Sequence, residues 1–123
     1  MKKLLIVSLA IISLSLYSCK KNNPDPIEYA GTWSGVYLGD GDRGTWTAII
    51  DSDGAVSGTA SSSVVVATFD LTGTIDPQGT FTATVGSAST GSEFVGQFNG
   101  STASGTWSND YYDIDGTWSG TKE

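Results

Sequence analysis

From Gly31 onward the chain alternates with a period of two. One set of positions carries glycine, alanine or a large apolar side chain, and the other carries mainly threonine and serine. Trp33, Gly35 and Tyr37 share a parity, as do Gly44, Trp46, Ala48 and Ile50, then Val56, Gly58 and Ala60. The pattern continues through Val65, Ala67, Phe69, Leu71, Gly73 and Ile75; Phe81, Ala83 and Val85; Phe94, Gly96 and Phe98; Ala103, Gly105 and Trp107; and Tyr112, Ile114, Gly116, Trp118 and Gly120. Side chains two apart lie on one face of a strand, so each segment has an apolar and a hydroxyl-rich face. Turn residues recur every eight to twelve positions, the spacing of an all-β sandwich or barrel. Eight strands are predicted: 32–38, 44–51, 55–61, 64–75, 80–87, 93–99, 102–108 and 112–121. The connections are short, so sequence neighbours pair as antiparallel hairpins.

The apolar face mixes very small with very large residues. Eight short strands cannot hold a large side chain at every inward site, and glycine beside tryptophan leaves a slot for a ring from a neighbouring strand. The spacing Gly-Thr-aromatic recurs as Gly31-Thr32-Trp33, Gly44-Thr45-Trp46, Gly79-Thr80-Phe81 and Gly105-Thr106-Trp107. The pentapeptide GTWSG itself occurs twice, at 31–35 and 116–120. In an up-and-down barrel the first and last strands are neighbours, so the two copies meet at the closing seam. The expectation is that each supplies a ring and a slot to the other; the alternative is an echo of hairpin duplication. Aromatic side chains inside and Thr/Ser outside also separate this chain from a transmembrane barrel, whose apolar band faces lipid. The predicted fold is all-β: an eight-stranded antiparallel meander closed into a soluble barrel, with no significant helix after the leader.

The first eighteen residues lie outside this pattern. Lys2 and Lys3 precede an apolar run from Leu4 to Leu16, of signal-peptide length and short for a membrane span. The run ends in Leu16-Tyr17-Ser18-Cys19, and Cys19 is the single cysteine of the chain. This resembles the lipobox of bacterial lipoproteins, with Tyr17 in place of the usual small residue. The resemblance implies cleavage before Cys19 and acylation of Cys19, giving a membrane anchor. A tether follows (19–30), then a single domain (31–123). Lys20-Lys21-Asn22-Asn23 replaces the acidic run that accompanies surface export in Bacteroidetes lipoproteins, which favours the periplasmic face of the outer membrane. One cysteine forms no internal disulfide, so the domain folds without one.

Without residues 1–18 the chain has thirteen acidic residues against Lys20, Lys21, Arg43 and Lys122, a net of −9. That balance excludes the phosphate-driven binding of nucleic acid. The chain has no histidine. A Ser-His-Asp triad and a His- or Cys-based metal site are therefore excluded, no cofactor is implied, and the chain is read as non-enzymatic. Two carboxylates in one cleft would suit a glycosidase, and Asp40 and Asp113 are the pair to test.

Gly-x-Trp at the start of the first strand of such a meander is a mark of the calycins, the lipocalins, fatty-acid-binding proteins and avidins. Here it is Gly31-Thr32-Trp33, with Lys122 where lipocalins place a basic residue against that tryptophan. Gly54 to Ala60 resembles the third strand of avidins. The resemblance covers the layout from Gly31 to Lys122 and implies a barrel that holds a small ligand; the residues of a biotin site are missing. The candidate interior, and lining of any ligand pocket, is Trp33, Tyr37, Trp46, Phe69, Phe81, Phe94, Phe98, Trp107 and Trp118. With strands this short the expectation is a filled interior, and Tyr112 is counted with the core.

The loops fall into two sets. Those after strands two, four and six are tight and share an end with both termini. Those after strands one, three, five and seven form the mouth away from the tether, with Asp40, Asp42, Arg43, Glu93, Asp110, Tyr111 and Asp113 around it. Asp40-Gly41-Asp42 and Asp113-Ile114-Asp115-Gly116 resemble fragments of calcium loops, but aspartate before glycine is also what a turn requires, and no metal ligand is assigned. Two functions follow as expectations: a monomeric envelope lipoprotein binding a small apolar or amphiphilic molecule, or a solid barrel that engages an envelope protein or inhibits a protease through the outward mouth.

Overall fold

A computed structural model describes residues 28–123; the leader, Cys19 and the tether up to residue 27 lie outside the described residues. The eight strands are β1 (Gly31–Gly39), β2 (Gly44–Ile50), β3 (Ala55–Ser62), β4 (Ala67–Ile75), β5 (Thr80–Val85), β6 (Ser92–Asn99), β7 (Thr102–Asn109) and β8 (Ile114–Lys122). They form one closed antiparallel barrel in sequence order, with β1 paired to both β2 and β8. No helix occurs among the described residues. This architecture is consistent with a calycin-like fold. In the β1–β8 ladder Lys122 lies directly opposite Trp33.

The alternation read from the sequence sets the faces. Trp33, Trp46, Trp107, Trp118, Phe81, Phe94 and Phe98 are all buried, and the intervening Thr and Ser positions are largely exposed. Three indoles organise the interior in the same way. Trp46, Gly35 and Gly120 form one register row across β2, β1 and β8. Trp118, Gly105 and Gly96 form a second across β8, β7 and β6. Trp107, Gly116 and Gly39 form a third across β7, β8 and β1. Each indole crosses the nearer glycine and reaches the farther one. Its N–H donates to the carbonyl of the residue just before that farther glycine: Trp46 Nε1 to Ser119 at 3.2 Å, Trp118 Nε1 to Val95 at 2.9 Å, Trp107 Nε1 to Leu38 at 3.1 Å. A strand carbonyl has a second lone pair beyond its ladder bond, so the buried donor is satisfied without breaking the sheet.

The seam between β1 and β8 does bring the two GTWSG copies together, but the expected exchange of ring and slot does not occur. Gly35 and Gly120 face each other across the seam, and the ring over that pair is Trp46, from neither copy. Trp118 packs instead on the glycines of β7 and β6. The slots lie one and two strands from their ring because an indole is longer than the spacing between two strands.

The end that carries both termini is solid. Trp33, Phe98, Phe81 and Trp118 are packed ring to ring, with Trp33 and Phe98 centroids 4.5 Å apart and Phe81 and Trp118 5.3 Å apart. Tyr29 covers this cluster. Its ring lies edge-on to Phe98 at 5.8 Å and its carbonyl accepts from Trp33 Nε1 at 2.8 Å. Tyr29, which falls within the expected tether, is therefore packed into the domain. Two turns here share one construction: Asp51 and Asp76 each accept, through Oδ1, the backbone N–H groups two and four residues on. Gly54 (φ 91°) and Gly79 (φ 87°) close the same two turns in the left-handed region.

Three strands are shorter than predicted at the opposite end, and one of them, β5, stops at Val85 rather than at residue 87. β4 starts at Ala67 rather than Val64, because 63–66 form the β3–β4 loop with Val66 at φ 53°. β8 starts at Ile114 rather than Tyr112, after Asp113 at φ 56°. Tyr112 is therefore 64% exposed and not part of the core.

If the rows carry the packing, a methyl group on the nearer glycine should be costly. A Cβ at Gly105 would lie 2.6 Å from Trp118 Nε1, whereas one at Gly100 would meet nothing within 4 Å. Gly105→Ala is expected to destabilise the barrel by about 1–3 kcal/mol through overpacking. Gly100→Ala should cost only the roughly 1 kcal/mol of its left-handed backbone. Urea unfolding followed by tryptophan fluorescence ranks the two.

Candidate functional site

The barrel is filled below and open above. At the end away from the termini a cup of about 590 Å³ opens among the loops that follow β1, β3, β5 and β7. Its floor is Tyr37 and Phe94, whose centroids lie 5.7 Å apart edge to face, with Val85 and Ile114 beside them. Trp107 packs beneath, 5.7 Å from Tyr37 and 6.0 Å from Phe94. Val65 and Phe69 form one wall, the Gly86–Ser92 segment another, and Tyr112 a third.

The cup exists because one wall stops early. β5 ends at Val85, opposite Leu71, so the upper part of β4 pairs only with β3. A single backbone bond from Gly86 N–H to the Asp70 carbonyl, at 2.9 Å, continues the contact. Ala67 and Phe69 keep the inward parity of Leu71, yet Phe69 is 39% exposed because nothing fills the space in front of it. The interior is thus not filled throughout: of the nine candidate interior residues, only Tyr37, Phe69 and Phe94 line the cup, and Trp33, Trp46, Phe81, Phe98, Trp107 and Trp118 form the solid part.

The loops around the cup are tied in two pairs. Asp42, in the β1–β2 loop, accepts through Oδ1 from Ser62 Oγ at 2.6 Å and from the Arg43 backbone N–H at 2.8 Å, and through Oδ2 from Tyr37 OH at 3.2 Å. Ser62 Oγ in turn accepts the N–H groups of Val64 and Val65, and Ser63 bonds the Arg43 carbonyl. These contacts join the first two loops. On the other side buried Asn109 donates to the Thr90 carbonyl at 3.0 Å and Ser92 Oγ at 3.1 Å, and accepts the Tyr112 N–H at 2.9 Å. That joins the last two loops. Gly41 lies against Ile114 so closely that a Cβ there would come within 2.9 Å of the isoleucine Cβ, which closes the cup on the β1–β8 side.

Among the predicted mouth residues only Asp42 lines the cup. Asp40, Arg43, Asp110, Tyr111 and Asp113 are exposed around it, and Glu93 lies on the outer wall of β6 beside a shallow groove with Thr72, Thr74, Thr82 and Thr84. Tyr111 and Tyr112 stack edge to face at 4.9 Å, both largely exposed. Among the described residues no group of three or more His, Cys, Asp or Glu side chains is placed to hold a metal ion. Sequence reading missed Ser62 and Asn109, although the signal is present: each continues the inward parity of its strand by one step beyond Ala60 and Trp107, as a polar residue at a core position.

Burial raises the Tyr37 hydroxyl to about 12, and the neighbouring Asp42 carboxylate adds to the shift. No protein-family model matches the chain, and no curated protein sequence matches it.

An unfolded tyrosine releases its proton near pH 10, and the folded Tyr37 holds it to about 12. The folded state binds more protons in that window, so this contribution to stability is complete below pH 10 and is lost as pH rises through 12. Unfolding midpoints measured across this range should fall less steeply for Tyr37→Phe than for the wild type.

Proposed function

We propose that the chain is a non-enzymatic, lipid-anchored envelope protein that binds a small apolar or amphiphilic molecule in the loop-end cup. The cup carries this reading. Its 590 Å³ suits a small ligand, and its lining is mainly apolar with a few fixed polar groups, the composition of small-molecule sites. The loops are held by Asp42, Ser62 and Asn109, so the ligand meets preformed walls. The leader with its Leu16-Tyr17-Ser18-Cys19 end supports an anchor on Cys19. The first strand enters at the end opposite the cup, so a tether there turns the cup away from the membrane. The absence of histidine and the single cysteine, placed for acylation, support a binding role over a catalytic one.

A second reading, a protein partner seated on the mouth, is favoured by one observation. Val65, Val66, Tyr111 and Tyr112 are each at least 60% exposed around the same rim. Exposed apolar side chains gathered in one place mark contact surfaces.

Titration of the neutral dye N-phenyl-1-naphthylamine separates the two. Saturable, blue-shifted fluorescence is expected with the wild type. Val65→Trp, which narrows the cup at an exposed position, should weaken binding by about tenfold, the equivalent of ~1.4 kcal/mol. Equal affinity in the variant would move the dye elsewhere. No saturable signal, with a bare protein mass in native mass spectrometry, would remove the small-ligand reading and leave the protein partner.

A further inference from the structure

We propose that the cup selects cationic amphiphiles, molecules with an alkyl or aryl body and an ammonium head, over neutral or carboxylate ones of the same body. This rests on the reading of the cup as a ligand site and names the chemistry it takes. Among the described residues the single charged side chain in the lining is Asp42. Its position is set from three sides: Ser62 Oγ and the Arg43 N–H bond Oδ1, and Tyr37 OH bonds Oδ2. An ionised carboxylate offers about four acceptor positions. Three are used within the protein, two of them on Oδ1, which leaves one on Oδ2 for a donor from a ligand.

The three partners are all donors, so they hold Asp42 in place without neutralising it. Arg43 supplies its backbone N–H to Asp42, and its side chain is not among the groups that line the cup. Lys122 is at the opposite end of β8 from the cup. The apolar lining of the same cup is largely aromatic, with Tyr37, Phe94, Phe69 and Tyr112, and aromatic ring faces attract a cation. The long-range field has the same sign. Residues 28–123 carry twelve Asp and Glu against Arg43 and Lys122, a net of −10. A fatty acid would bring its carboxylate against Asp42 with no cationic group among the described lining residues to offset the repulsion. An ammonium head gains a charge-assisted hydrogen bond there while its tail occupies the apolar wall.

Three probes with one tail and different heads test this on the full-length protein: decylammonium, decanol and decanoate, each titrated calorimetrically below its micelle concentration. Decylammonium should bind about tenfold tighter than decanol, the worth of one charge-assisted hydrogen bond, and decanoate weakest. Asp42→Asn keeps an oxygen for Ser62 and the Arg43 N–H. In that variant the preference should vanish, with decylammonium and decanol binding alike. Equal binding of all three heads to the wild type would overturn the proposal and leave the ligand cup standing. Binding of none of them would remove the cup reading and this inference with it. The comparison among probes on the wild type needs no variant, so it decides the question even if Asp42→Asn misfolds.

Discussion

An indole laid across two glycines is the interaction on which the rest of this barrel depends. Trp46, Trp118 and Trp107 each span a register row, and each N–H finds a carbonyl one strand beyond the nearer glycine. The arrangement solves two problems together. An eight-stranded barrel has a narrow interior, so a large ring fits only where its neighbours have no side chain. A buried indole also carries a donor that must be satisfied, and the bare glycine positions let it reach the backbone. Two of the three rows cross the β1–β8 seam, so the same packing that fills the interior also closes the sheet and removes its edges.

Above the uppermost row the aromatic filling stops. Tyr37 and Phe94 rest on Trp107, and beyond them the wall formed by β4 lacks its β5 partner. A shorter strand thus turns a solid barrel into one with a cup at one end. The loops that rim it are tied by a small set of polar groups, Asp42 of the β1–β2 loop with Ser62 at the end of β3 on one side and Asn109 at the end of β7 on the other. The division of labour is clear in the chain: glycine and aromatic rings make the scaffold, and hydrogen-bonded loops make the candidate site.

Most of the fold was legible because its signal is local and periodic. The alternation from Trp33 to Gly120 identifies the inward face of each strand, and the short connections leave a meander as the natural topology. Asp42 was legible as a mouth residue from its loop. Ser62 and Asn109 were hidden by their type, since a serine and an asparagine at a strand end read as turn residues. Phe69 has the right parity for the core, yet it stands at an open wall, and Tyr112 fell outside its predicted strand because Asp113 takes a left-handed backbone. Neither outcome has a local signature.

By itself the sequence determined that this chain alternates an aromatic and small-residue face with a hydroxyl face over eight segments, and that its first and last strands carry the same pentapeptide. A two-residue period is a property of the strand backbone and needs no tertiary information. The tertiary structure decided which ring occupies which glycine slot, where the filling ends, and that Asp42 faces a cup of about 590 Å³. Those depend on register and on the relative lengths of β4 and β5, which are fixed only when the sheet closes and every strand has both of its neighbours.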